Sequence, residues 1–452
     1  MNSDNQIPLP ELVQTNFLFD WRMSLSQNIT RSLRLNYNAT NSNIISEDTN
    51  FQNSSLGIFD NFLNTGSPNN FGQSLSLNYI LPFEYLPFLN FIDGSYTYTG
   101  NFNWERGSDV FSSIKSESGE ILGRVNTIQN ANTQNFVLNF NFNQIYREIP
   151  WLNSDENILK SLIKSTRRLR FNYSENSGKV LPGYIPSIGF LGTARPSIEF
   201  VFGNQSDIRY EAAKNGWLTD FPNFNQPFQQ IFNSDFDFSG ELELFNSIRI
   251  DLNANRRYSN NFSENFSVRN NTYSALNPNY YGNFSISTNM LNTSFSRRDK
   301  NFSNSFEKMK NNRLIVAQRL ISQKNLNNIN IDSEGFPIGF SKNSQEVLIN
   351  SFLSAYLGKN PNDISLNPIS KSPKLNWSLQ YDGLSKLFEN FISRLSIGHG
   401  YRSSFTINNF RSNLNYSPNS FDNSGNYMSE KLYSNINLVE QFNPLIEVDI
   451  EF

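Results

Sequence analysis

The feature that most constrains the fold is a pair of alternating segments between Asp235 and Tyr258. In each segment an apolar residue occupies every second position, and Asp, Glu, Arg, Ser or Asn occupies the positions between. Successive side chains of a β-strand point to opposite faces, so one face of each segment is apolar and the other polar. The two arms are joined by the short stretch Phe245-Asn246-Ser247, and each arm has about the ten residues that a tilted strand needs to cross a membrane. The pattern therefore predicts a membrane-spanning β-hairpin.

The same alternation recurs along the chain and is especially regular between Phe136 and Asn143. We therefore predict an all-β fold, a transmembrane antiparallel β-barrel in the outer membrane of a Gram-negative bacterium, to which residues 1–452 contribute strands. The lipid-facing candidates are Phe236, Phe238, Leu242, Leu244, Ile248, Ile250, Leu252, Leu138, Phe140 and Phe142. The lumen-facing candidates are Asp237, Glu241, Glu243, Arg249, Asp251, Asn139 and Asn141.

Composition agrees with a sheet that has one wet face. Only 17% of residues are charged while 14% are aromatic, and the mean hydropathy is -0.50. A porin-like barrel keeps such a negative value because half of its strand residues face water. Base composition of the genome could raise the Phe and Asn counts, but it could not sort these residues into alternating positions.

Several function classes are disfavoured. A net charge of -3 argues against a nucleic-acid partner, and the absence of Cys excludes thiol catalysis and a disulfide framework. The single histidine, His399, rules out a multi-histidine metal site, and Glu241 with Glu243 is better explained by a solvated face that Arg249 balances than by acid–base catalysis. We expect no enzymatic activity, no catalytic or metal residues and no cofactor.

Neither a long apolar run nor a signal peptide at residues 1–10 is found. Since a barrel protein must be exported, we expect the chain to be a piece of a longer protein.

Five segments interrupt the alternation. We expect loops at 41–70 and 105–135, a helical insertion at 154–168 and a Pro/Gly-rich structured loop at 181–228 around one strand with Ile198, Phe200 and Phe202. A second helical insertion is predicted at 344–358, with Gly358 at its C-cap, and residues 309–321 could also be helical.

Several motifs resemble the SprA/Sov family, the outer-membrane translocon of the Bacteroidetes type IX secretion system. They include SQEVLINSFLSAYLGK at 344–359, NWSLQYDGL at 376–384, HGYRSSF at 399–405 and EQFNPLIEVD at 440–449. The motif residues that we single out are Pro182, Gly183, Trp217, Trp377, Tyr381, Asp382, Gly383, His399, Tyr401, Arg402, Glu440, Gln441, Phe442 and Pro444.

The resemblance implies that residues 1–452 form the C-terminal segment of a very large single-chain, protein-conducting barrel. Such a barrel exports folded cargo proteins with C-terminal secretion signals, a function linked to gliding motility and cell-surface protein export. It also implies three partners besides outer-membrane lipid: the secreted cargo, a PorV-like shuttle barrel at a lateral opening and a periplasmic plug protein. No nucleic acid is expected.

Two alternatives stay open. A porin-like or TonB-linked uptake barrel should show regular strand spacing without the long insertions at 181–228 and 344–358. A soluble β-rich adhesin should show a fixed repeat of about 20 to 30 residues, and the sequence has none.

Overall fold

The computed structural model describes residues 16–46, 66–87, 89–108, 125–148, 158–222, 224–245, 247–324, 330–387 and 392–451. Strands make up most of this part of the chain, and the prediction of an all-β antiparallel fold is confirmed. The strands are β1 Asn16–Asn28, β2 Leu33–Ser46, β3 Ser67–Leu81, β4 Ile92–Glu105, β5 Asn126–Asn141, β6 Thr166–Tyr184, β7 Phe228–Leu244, β8 Ile248–Arg269, β9 Thr272–Ser287, β10 Arg298–Asp299, β11 Phe302–Ser303, β12 Asn376–Tyr381, β13 Arg394–Ser412, β14 Lys431–Phe442 and β15 Glu447–Glu451. The helices are α1 Phe142–Glu148, α2 Ile158–Ile163, α3 Ile198–Val201, α4 Arg209–Lys214, α5 Leu291–Ser294, α6 Asn304–Gln323 and α7 Gln345–Tyr356, with 3₁₀ turns at Phe83–Tyr85 and Gly383–Leu387.

The large sheet is an antiparallel meander in which strands that follow one another in the chain pair side by side from β1 to β8. Beyond β8, two short strands extend longer neighbours. Both β9 and β12 pair with β8 and β13, so β12 continues the path of β9 after the chain has left the sheet at residues 288–375. In the same way β15 continues β14 along β13. Within the described residues, no strand pairs with the outer edge of β1 or of β14 and β15.

The hairpin from Asp235 to Tyr258 forms as predicted. Its register pairs Leu244 with Ile248 and Leu242 with Ile250, so apolar residues stand opposite apolar ones across the two strands. Phe245 begins the tight turn with a φ of 53°. The two-residue alternation of apolar and polar side chains therefore determines both the register of the pair and the face that carries the apolar residues, because a slip of one residue would exchange the two faces.

Two insertions pack on the sheet. The first insertion, residues 185–227, contains α3 and α4 and contributes Phe200, Ile208 and Leu218 to a core that it shares with the sheet. The second insertion, residues 288–375, contains α5, α6 and α7 and packs Ile349 and Leu353 against β9 and β13. A separate small core holds α6 and α7 together.

Two loop predictions are wrong at their ends. Residues 126–135 of the predicted loop 105–135 belong to β5, and residues 41–46 and 67–70 of the predicted loop 41–70 belong to β2 and β3. The parts of these loops at 109–124 and 47–65 lie outside the described residues. In β5 the misleading signal is a run of amides, Asn126, Asn130 and Asn132, which the first insertion buries and hydrogen-bonds.

Helical segments also differ from the predicted boundaries. In the predicted insertion 154–168 the described helix is α2, and β6 already begins at Thr166. Phe142, expected as the last lipid-facing residue of a strand, is instead the first residue of α1. The predicted strand with Ile198, Phe200 and Phe202 is wrong: Ser197 caps the helix α3 by accepting a hydrogen bond from the Phe200 amide, 3.2 Å away.

The helix predicted at 344–358 is α7, which Ser344 caps and which ends before Gly358 at a φ of 62°. Residues 309–321 lie inside α6. None of the helices in the described part of the chain has both the length and the hydropathy for a membrane-spanning helix.

Candidate functional site: the two faces of the sheet

The polar face of the sheet carries rows of charged and amide side chains that pair across strands. One row runs from Asn141 through Arg168 and Glu241 to Asp251, and the register places all four on the same face. Arg168 forms an ion pair with Glu241 at 3.0 Å. Side chains such as Arg168 remain largely exposed, so each pair contributes little to stability, and the face is suited to water.

Two further sets of ion pairs lie at the polar side of β6, β7 and β8. Arg167 lies 3.1 Å from Glu243, and Arg257 lies 3.6 Å from Asp235 and 3.8 Å from Asp237. The lumen-facing candidates therefore share one face: Asn139 pairs with Arg170 on the same side as Asn141, and Arg249 lies opposite Glu243. A face with this charge density cannot contact hydrocarbon without a large desolvation cost.

The opposite face carries an apolar band. Across β5 to β8, one row is Leu138, Phe171, Phe238 and Ala254, and the next is Phe140, Leu169, Gly240 and Leu252. In these rows Leu138, Phe140, Leu169 and Leu252 are partly exposed, whereas Ala254 is buried. We define the apolar band by Leu77, Tyr79, Tyr96, Phe136, Leu138, Phe140, Leu169, Phe171, Phe236, Phe238, Leu242, Leu244, Ile248, Ile250, Leu252, Leu379 and Ile397.

The apolar band runs diagonally across the strand register. A row that starts at Tyr79 in β3 passes through Phe136 and Phe236, but it reaches Arg256 in β8 and the buried Ile286 in β9. On β8 the band has moved along the strand to Ile248, Ile250 and Leu252. A level belt crosses tilted strands in this way, and strands in closed barrels tilt by about 35–45°.

The band also has a suitable height. From Phe236 to Leu244 the strand β7 advances about 27 Å at about 3.3–3.4 Å per residue. A tilt of about 40° reduces this to about 20 Å along the barrel axis, which is close to the roughly 25 Å apolar belt of outer-membrane barrels. At one border of the band, Phe171, Phe236, Phe238 and Ala254 line a groove of about 430 Å³ with four residues of the second insertion, Lys371, Ser372, Pro373 and Leu375.

The first insertion covers the apolar face beyond the band, where amides replace aliphatic side chains. Asn130 Nδ2 donates to the carbonyl oxygens of Phe200 at 3.1 Å and Asn204 at 2.7 Å, and Asn132 Nδ2 donates to Gly203 O at 2.8 Å. The backbones lie very close together here, because a Cβ on Gly100 would clash with Phe202 O. The sequence did not indicate these contacts, because nothing in it distinguishes an Asn that becomes buried from one that stays exposed.

A buried charged cluster holds the first insertion on β8 and β9. Arg209 of α4 donates to Glu264, which is 3% exposed, and Tyr273 Oη donates to the same carboxylate at 2.6 Å. The Arg209 guanidinium also lies over the Phe228 ring at 4.6 Å from its centroid. Burial raises the pKa of Tyr273, and the hydrogen bond to Glu264 raises it further.

Lys179 is a second buried cation under the first insertion. It is 4% exposed and donates to the backbone oxygens of Gln205 and Ser206. Burial lowers the pKa of Lys179. Burial opposes ionisation of the nearby Asp207, but hydrogen bonds from Arg209 outweigh it and lower the pKa of that carboxyl.

Five of the motif residues meet around Tyr401. The Tyr401 ring stacks on Trp377 at 4.5 Å and contacts Phe442 at 5.2 Å, while His399 contacts both Trp377 and Phe442. The Tyr401 hydroxyl donates to Glu440 at 2.9 Å and accepts from the Met290 amide at 2.8 Å. The cluster therefore fixes the point at which the second insertion leaves the sheet.

The remaining motif residues occupy strand ends and turns. Pro182 and Gly183 end β6, where Gly183 O accepts from the Thr219 amide at 2.8 Å beside Trp217. Tyr381, Asp382 and Gly383 lie at the end of β12 and in its turn, Gln441 lies near the end of β14, and Pro444 lies between β14 and β15, whereas Arg402 lies in the middle of β13 and pairs with Gln441. His399 Nδ1 lies 2.7 Å from Leu445 O, so this histidine has a structural hydrogen bond.

No protein-family model and no curated protein matches the chain. Among solved structures, the chain is similar to the closed form of the ferric-catecholate import receptor Fiu from E. coli K12, with a TM-score of 0.27 and 7% identity over 95% of this chain and 55% of the receptor. It is also similar to CdiB from Acinetobacter baumannii, with a TM-score of 0.17 and 8% identity over 90% of this chain and 50% of CdiB. The chain thus spans about half the length of each.

Proposed function

We propose that this chain forms part of the wall of an outer-membrane β-barrel that conducts polypeptides, with the apolar band toward lipid and the charged face toward a water-filled lumen. The observation that supports it is the division of a single sheet into a diagonal apolar band and a charge-paired polar face. No second sheet packs on the band in the described residues, as it would in a soluble sandwich.

A wide, open lumen is favoured over a plugged one. Both insertions lie on the same side of the sheet as the band, since their contacts go to Asn130, Lys179, Phe284 and Tyr401. The ion pairs of the polar face, such as Arg168 with Glu241 and Arg257 with Asp235, join strand residues to one another. Within the described residues this arrangement fits an open lumen better than one that the insertions fill.

Within the described residues no strand pairs with the outer edges of β1 or of β14 and β15, and we propose that more strands complete the wall. Backbone donors and acceptors cannot stay unpaired in hydrocarbon, so we propose that further strands close the sheet into a barrel larger than the one these residues could make alone. Together with the motifs at 376–384, 399–405 and 440–449, this supports the type IX translocon as the specific identity of the barrel. In that role the protein catalyses no reaction and passes folded cargo from a periplasmic plug to a shuttle barrel.

Single-cysteine labelling tests the orientation of the sheet, because the natural chain has no Cys. In lipid bilayers, Cys at Leu138 or Phe140 should be reached by lipid-soluble maleimides, and Cys at Asn139 or Asn141 by membrane-impermeant ones. The opposite labelling pattern would refute the membrane orientation.

The secretion role needs a separate experiment. A tag at the turn 270–271 of the protein in its native membrane should recover cargo with C-terminal secretion signals and a shuttle barrel. Recovery of siderophore or nutrient ligands with an energy-coupling protein, and of no secreted cargo, would instead establish the uptake barrel.

A further inference from the structure

The segment 291–310 of the second insertion, the basic-aromatic segment, exposes aromatic rings that the fold leaves uncovered. Phe295 is 77% exposed, Phe306 48% and Phe302 41%. Three exposed Phe rings within twelve residues of one segment form a patch of the kind that marks an interaction surface.

Cations surround these rings. The segment contains five basic residues and only two acidic ones, Asp299 and Glu307; the basic residues are Arg297, Arg298, Lys300, Lys308 and Lys310. The Arg297 guanidinium lies 5.6 Å from the Phe302 ring centroid, and Lys310 Nζ lies 5.4 Å from that of Phe306. Aromatic rings with interleaved cations suit the headgroup layer of a membrane, where rings reach toward acyl chains and cations meet phosphate.

The basic-aromatic segment starts at the border of the apolar band. Phe295 stacks on Phe442 with ring centroids 5.6 Å apart, and Phe442 contacts Tyr401. Tyr401 stacks on Trp377, which pairs with Leu252 of the band. The exposed rings are thus continuous with the surface that the proposed function places in lipid.

We infer that the basic-aromatic segment docks on the membrane surface and binds anionic, phosphate-bearing lipid headgroups beside the barrel wall. This inference depends on the proposed membrane orientation of the band. The second insertion would then anchor the barrel at the membrane–water interface. The attraction between its basic side chains and an anionic surface increases with each cation.

A fluorophore on Asn301→Cys, an exposed position between Arg298 and Phe302, reports the depth of the segment. The labelled chain is reconstituted in phosphatidylcholine vesicles with or without phosphatidylglycerol, and quenching by brominated lipid is compared with quenching by aqueous iodide. Phosphatidylglycerol should shift the label into the lipid. In the Arg297→Gln/Arg298→Gln variant the ratio of docked to undocked label should fall about thirtyfold.

The matched control is Lys214→Gln/Arg269→Gln, which removes two exposed cations from α4 and from the β8–β9 turn and should leave the shift unchanged. A label on Leu138→Cys separates the two proposals. If that label is quenched by brominated lipid while the Asn301 label stays in water, docking of the segment is refuted and the barrel orientation stands. If both labels stay in water, both proposals fail. Equal quenching with and without phosphatidylglycerol, unaffected by the arginine substitutions, overturns anionic-headgroup binding.

Discussion

Replacement of Leu138 by Arg tests the apolar band at its centre. Leu138 lies between Phe136 and Phe140 along β5, and its neighbours across the strands are Gly94 and Phe171. An Arg on the lipid face near the midplane costs about 2–4 kcal/mol, and this cost falls to about 0–1 kcal/mol near the interfaces. We therefore expect the unfolding equilibrium in vesicles to shift by about 30- to 900-fold toward the unfolded state.

The matched control is Asn139→Arg, one residue further along β5 and on the polar face. Its neighbours Asp93 and Arg170 carry opposite charges, so the new cation meets little net field. We expect a change within about 0.5 kcal/mol, as for an ordinary solvated site. The assay is reversible urea unfolding in phosphatidylcholine vesicles, followed by tryptophan fluorescence. Equal destabilisation by both variants, or a larger effect at Asn139, would refute the assignment of the faces.

Three further predictions concern the docking of the first insertion. Glu264→Gln removes a carboxylate that balances the charge of Arg209 in a buried site, so the free energy needed to open the first insertion should fall by about 3 kcal/mol, measured by hydrogen exchange of α4. Unchanged exchange would show that the ion pair does not stabilise the docked insertion. Phe102→Ala, at a fully buried position between sheet and insertion, should destabilise docking by about 3–5 kcal/mol, and a Phe102→Leu variant by clearly less. Because the fold lowers the pKa of Asp207, the ionised carboxylate stabilises the docked insertion fully above its ordinary pKa near 4, and this stabilisation is lost as pH falls through the lower folded value. Pepsin cleavage of the insertion should therefore increase in that acid window, and Asp207→Asn should abolish the increase.

Local alternation was sufficient to predict the regular part of the sheet. Between Asp235 and Tyr258 every apolar residue falls on one face, and the register follows because only one pairing keeps all of them together. The helix α7 was also predictable, because Gly358 marks where it ends. The bounds of the long strand β13 could not be predicted, because a strand covered by the second insertion carries Ser as well as apolar residues.

The sequence alone could not show that a polar residue is buried and hydrogen-bonded when its partner is distant in the chain. Asn130 reads as a loop residue until Phe200 and Asn204 supply the carbonyl oxygens that its amide needs. Glu264 and Arg209, 55 residues apart, read as solvated charges until α4 brings them together. The cost of burying a polar group depends on the partner that it meets, and the partner is set by tertiary structure.

By itself the sequence determined that the chain forms strands with one apolar and one polar face, because the side-chain period of two acts within each strand. Only the tertiary structure decided which part of the apolar face stays uncovered, because that depends on where the two insertions fold back. It also decided that the band is diagonal, since strand tilt is a property of many paired strands and of no single one.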